Sequence, residues 1–227
     1  MYFDNFALET LYKKAEKNKA LICGGGIEQK FQKINQTFSR KILFKHEGFM
    51  SYQDYQYDFH YQRYIYNKNF IKINKLYFPN LRRYQDPPFF IKIMFKAKKF
   101  FTIKNITNIY RLKTKLKFNI RQVKDMFIGL KVCLEFAEKN NLYTLYIRSL
   151  KRLNDNMFLK NAKEFFEDES LKSIINKIIK SINIEIIKRS NQKFIINKFY
   201  KTYSLHFTLN NKKNIYFKNN STIIRNF

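Results

Sequence analysis

Apolar residues recur along this chain with two periods. Leu171, Ile174, Ile175, Ile178, Ile179 and Ile182 fall at helical spacing, one apolar face of an amphipathic helix. Lys172, Lys177 and Lys180 occupy its polar side. Leu142, Leu145, Tyr146, Ser149, Leu150 and Leu153 give a second helix, with Asn141 as its cap. Phe3, Phe6, Ala7, Leu11, Ala15 and Ala20 give a third over 3–20, which Asp4 or Asn5 is placed to cap. That helix is expected to stop at Gly24-Gly25-Gly26, read as a hinge or helix stop. A phosphate-binding loop is not expected there, because no Lys-Ser/Thr pair follows and no hydrophobic strand precedes.

The period-two segments predict strands. Phe89–Phe95 is expected to be a short buried strand after a stiff break at Asp86-Pro87-Pro88. Leu112, Thr114, Leu116, Phe118 and Ile120 alternate with Lys113, Lys115, Lys117, Asn119 and Arg121, which reads as a strand with a basic outer face. Ile128–Leu134 reads as another strand, with Gly129 as a bulge or a site of close approach. Tyr203, Leu205, Phe207 and Leu209 predict one more, and Ile215–Phe217 and Thr222–Ile224 add short strands beyond an Asn210-Asn211 turn. The tract 50–90 is rich in aromatics, from Tyr52 to Tyr84, with Tyr55, Tyr57, Phe59 and Tyr61 alternating and Arg63, Lys68, Lys72, Lys75, Arg82 and Arg83 interleaved. It reads as an extended arm. The expected fold is α+β: an antiparallel or mixed sheet with helices packed on one face, plus a basic, aromatic N-terminal extension. Residues 1–88 form the helix and arm, and 89–227 a compact domain with a basic end.

Composition changes how much of this pattern is informative. Lys, Ile, Asn, Phe and Tyr make up about 57% of the 227 residues, and Trp is absent. These residues have A/T-rich codons, so much of the bias reflects an A+T-rich genome rather than function. Collagen-like, mucin-like and disulfide-stapled architectures are excluded. The 45 Lys+Arg against 17 Asp+Glu leave a net charge of +28, which points to a polyanionic partner, nucleic acid first and an anionic membrane surface second. The charge is placed unevenly. Residues 91–125 carry eleven cations and one acid, and no acid follows Glu185. Along the 112–121 strand the cations would stand about 6.5–7 Å apart. The candidate RNA-binding residues are Lys96, Lys98, Lys99, Lys104, Lys113, Lys115, Lys117, Arg121, Lys124, Arg82 and Arg83.

Candidate catalytic chemistry is sparse. His46, His60 and His206 are far apart, with no paired-carboxylate or Cys-His motif. Cys23 and Cys133 lack metal spacing, and a reducing compartment is expected. The acids Glu164, Glu167, Asp168 and Glu169 are expected to favour the N-terminus of the following helix rather than a metal. Neither an enzyme nor a cofactor is expected. No apolar run is long enough to span a bilayer, and the N-terminus lacks the character of an imported precursor.

Phe118-Asn119-Ile120-Arg121-Gln122, then Ile128–Leu134, then the helix Leu142–Leu153, resemble the large-subunit ribosomal protein family that contacts 5S rRNA. Two residues are inserted before Ile128, and Cys133 stands where that family has threonine. The basic, A+T-skewed chain as a whole looks like an organelle-encoded mitochondrial ribosomal protein. The resemblance implies an α+β protein of the mitochondrial matrix, near the central protuberance of the large subunit. It would be bound to ribosomal RNA and neighbouring ribosomal proteins, with no small-molecule substrate and no transmembrane segment. The alternative is a basic peripheral subunit of a respiratory membrane complex.

Overall fold

A computed structural model describes residues 2–3, 6–33, 36–112, 117–189 and 202–203. The chain divides into two compact units. Met1–Pro79 with Asp86–Lys117 form the first, and Asn80–Gln85 with Phe118–Phe227 the second. The boundary expected at 88/89 falls inside a helix, and 89–117 join the N-terminal residues.

The first unit is built on a mixed sheet. Its two long strands, β2 (Ile22–Lys33) and β6 (Lys99–Leu112), pair in parallel. On the far side of β6 lie β4 (Gly48–Ser51) and β1 (Tyr2–Phe3), and on the far side of β2 lie β5 (Tyr64–Tyr66) and β3 (Gln36–Ile42), all antiparallel to their neighbours. Helix α1 (Ala7–Lys17) packs Leu11 against Cys23, Phe101 and Ile103. Its N-cap is Phe6, with no side-chain cap. Two short helices, α2 (Tyr52–Tyr55) and α3 (Lys68–Ile73), flank β5. The class is α+β.

Three expectations are corrected here. Gly24-Gly25-Gly26 does not stop a helix, because it lies inside β2 at the register shifts between β2 and β6. A Cβ on Gly25 would collide with the Thr107 side chain, and one on Gly24 with the Tyr64 ring. The glycines let neighbouring chains approach. Phe89–Phe95 is not a strand but the middle of α4 (Asp86–Ala97), buried on most sides. A continuous apolar run fits a buried helix as well as a buried strand, and Pro87-Pro88 start the helix instead of breaking the chain. The aromatic tract is not extended. Tyr64 packs on Phe90 at 5.2 Å and Phe100 at 5.7 Å between centroids, and Tyr55 on Phe100 at 5.2 Å. Tyr52, Tyr64 and Tyr84 are buried, most of the other rings are half-buried, and Tyr77 and Phe78 are exposed.

The described residues of the second unit are helical where regular. Helix α5 (Ile120–Lys139) takes in both Ile120-Arg121 and Ile128–Leu134, which were expected as strands. Val123, Met126, Phe127, Leu130, Cys133, Leu134 and Ala137 are buried, a helical repeat over twenty residues that overrides the local alternation. Asn119 and Gln122 close a capping box at its start. Gly129 is a site of close approach, since its Cβ would lie 2.8 Å from the Tyr84 carbonyl. The expected helices at 142–153 and 171–182 are α6 (Tyr143–Arg152) and α8 (Glu169–Lys180), joined by α7 (Asn156–Lys163) and followed by α9 (Ile184–Arg189). Leu142 is the N-cap of α6, while Asn141 has φ 56 in the connecting turn. Thr202-Tyr203 are helical rather than extended, and the other C-terminal strand positions lie outside the described residues.

Candidate nucleic-acid interface

Five lysines of the first unit lie along the end of α4 and the first part of β6. Lys92 and Lys96 stand one turn apart on the solvent side of α4. Lys98 reverses the chain with φ 62, its N–H donating to the Phe95 carbonyl at 3.2 Å and its carbonyl accepting from Tyr52 at 2.8 Å. Lys99 opens β6, and Lys104 lies about 16 Å further along that strand. All five are exposed, the stretch 92–104 contains no acid, and no carboxylate of the described residues forms an ion pair with any of them. Burying such a group beside protein would leave its charge uncompensated, so water or a polyanion must face it.

An aromatic side chain joins the group. The Lys99 ammonium lies 4.5 Å from the centroid of Phe49, and Phe49 packs edge-on against Phe101 at 5.3 Å. Phe49 is 47% exposed. Lys92 and Phe49 are not among the residues expected from the sequence. The Lys92/Lys96 spacing is the signal for the first, and it carries meaning only on a helix. For Phe49 no sequence signal existed, because only its pairing with Phe101 sets it beside Lys99.

Of the expected basic strand face, Lys117 and Arg121 do not lie on a strand. Lys113 and Lys115 lie outside the described residues, Lys117 is exposed in a connecting segment, and Arg121 is exposed in the first turn of α5. The remaining candidates belong to the second unit and are engaged internally. Lys124 pairs with Asp168 at 3.0 Å. The Arg82 N–H donates to Asp125 at 2.7 Å, and its guanidinium stands 3.9 Å from the same oxygen. The Arg83 guanidinium sits 4.6 Å from the Phe118 ring centroid. Of the interleaved cations in the aromatic tract, Arg63 is buried, donates to the Gly25 carbonyl and lies 3.8 Å from the Phe44 centroid. Its role is internal.

Of the acidic group, Asp168 and Glu169 stand at the start of α8 as expected, while Glu164 ends α7. Asp168 is the N-cap, accepting from the Leu171 N–H at 2.8 Å. That bond, with those from Ser170 and Lys124, holds its carboxyl down at about 2. No group of three metal-ligating side chains forms among the described residues. Burial pushes the Cys23 thiol up to about 12, with Glu47 adding and Lys14 opposing, so it is a neutral packing group at physiological pH. No protein-family model and no curated protein matches this chain. No helix of the described residues is long and apolar enough to cross a membrane.

Proposed function

We propose that this chain is a structural RNA-binding protein of the mitochondrial ribosome, in contact with ribosomal RNA and neighbouring ribosomal proteins and acting on no small-molecule substrate. The observation that carries the reading is the acid-free lysine group of α4 and β6 with its exposed Phe49, in a chain of net charge +28. Lysines without carboxylate partners repel one another, and phosphates relieve that repulsion while displacing counterions. An exposed ring among cations adds affinity for unpaired nucleotides. Ile128–Leu134, in the stretch resembling the 5S-rRNA-contacting family, folds here as part of α5, and charge placement is what supports RNA binding.

The test is sedimentation of mitochondrial lysate carrying the tagged chain with Lys96, Lys98, Lys99 and Lys104 replaced by Gln. The native chain is expected to co-sediment with rRNA-containing particles and the variant to be depleted from them while still folded. Co-migration of the native chain with a detergent-solubilised respiratory complex would overturn the reading in favour of a peripheral membrane role.

A further inference from the structure

Beyond the glycine bulge, β3, β2 and the end of β6 run side by side. Their register sets side chains in rows across the sheet. Gln29 lies between Arg40 on β3 and Tyr110 on β6, and Phe31 faces Phe38. Paired residues project to the same side, and alternate residues along a strand return to it. Tyr110, Gln29, Arg40, Phe31 and Phe38 therefore share one face. Phe38 is 51% and Phe31 36% exposed, Arg40 is exposed, and Gln29 and Tyr110 are half-buried. The surrounding charge is one-sided. Among the paired positions of these strands this face carries Arg40 and no acid, while Glu28 projects from the opposite face with Lys30, Lys41 and Arg111.

Resting on the RNA-binding reading above, we propose that this sheet face is a stacking platform for unpaired bases of single-stranded RNA. Phe31 and Phe38 offer ring faces at adjacent positions. Arg40, one row away, meets a phosphate or stacks on a base, and Gln29 presents an amide to a base edge. Rings of this kind stack only on bases that are out of a duplex, so the platform selects single strands by geometry and needs no sequence code. A face with a cation and no acid, in a chain of net charge +28, favours a polyanion as its occupant.

The full chain is titrated with a short fluorescein-labelled oligouridylate and, separately, with a blunt RNA duplex. Phe31→Ala and Phe38→Ala are each expected to weaken oligouridylate binding roughly 5- to 150-fold and to leave duplex binding in place. Phe38→Trp keeps an aromatic face and adds the chain's sole Trp. It is expected to retain oligouridylate affinity, with its fluorescence quenched on binding. A chain that binds duplex RNA through Lys96, Lys98, Lys99 and Lys104 but is indifferent to both Phe→Ala changes overturns the platform and leaves the RNA-binding reading standing. A chain that binds neither RNA overturns both. A dimer in sedimentation equilibrium that Phe38→Ala dissolves would give the face to a second copy and overturn the platform as well.

Discussion

At Gly25 one methyl group decides whether β2 and β6 can close. The Cβ of an alanine would overlap the Thr107 side chain, whose Oγ1 already donates to the Gly26 carbonyl at 3.4 Å. Gly25→Ala is expected to lower stability by about 1–3 kcal/mol through overpacking, read as a shift in the urea midpoint. Thr107→Ala in the same background should recover part of it, because the two changes share one contact. A single variant as stable as the native chain would remove the close-approach account. Cys23 gives a second residue-level test. Its thiol is buried against Leu11 and Phe101 and held neutral, with its pKa pushed up to about 12. Alkylation at mildly alkaline pH is expected to follow unfolding of the first unit, and rapid labelling of the folded chain would contradict that burial. Neither result can be anticipated from residue identity. Three glycines in a row signal a turn and a close approach equally well, and only the partner strand distinguishes them.

Among the elements, legibility followed amphipathicity. Helix α8 was readable because Leu171, Ile175 and Ile178 are buried while Lys177 and Lys180 are exposed, so one repeat dominates. Helix α4 was not, because Phe90, Ile91, Ile93 and Met94 are all buried and a helix apolar on most sides loses its period. In α5 the alternating charges before Ile120 masked a repeat that becomes plain only over its full length. The start of α8 supports a pH prediction. The carboxyl of Asp168 lies at about 2 against an ordinary 3.8, so folding favours its ionised form. Its stabilising effect is complete above about pH 4 and is lost as pH falls through about 2. Asp168→Asn keeps a capping acceptor and loses the charge. The stability gap between native chain and variant is expected to be present near neutral pH and to narrow below pH 4, as measured by urea unfolding at a series of pH values. A gap that does not change with pH would show that the charge of Asp168 contributes nothing.

For the whole molecule the governing quantity is the charge of +28, and its consequence is ionic-strength dependence. If phosphate contacts carry the affinity for RNA, log K falls linearly with log salt concentration. Replacing Lys96, Lys98, Lys99 and Lys104 by Gln should make that slope shallower by about 3, taking about 0.7 per phosphate contact on a single strand. Binding isotherms of the full chain across a salt series give the slope, and an unchanged slope would take those four lysines out of the interface.

The sequence by itself determined the charge, the amphipathic helices and the position of α8's capping acid, because these follow from residue identity and short-range periodicity. It also carried four of the cations at the α4–β6 turn, as a local excess of lysine. Tertiary structure alone decided which of the candidates are free. It spends Lys124 and Arg82 on Asp168 and Asp125, sets Arg83 over Phe118, and leaves Lys96, Lys98 and Lys104 facing outward. It also brought Phe49 to Lys99 and Phe31 to Phe38. Whether a cation meets an acid, a ring or open solvent depends on partners dozens of residues away, and a one-dimensional pattern does not contain that distance.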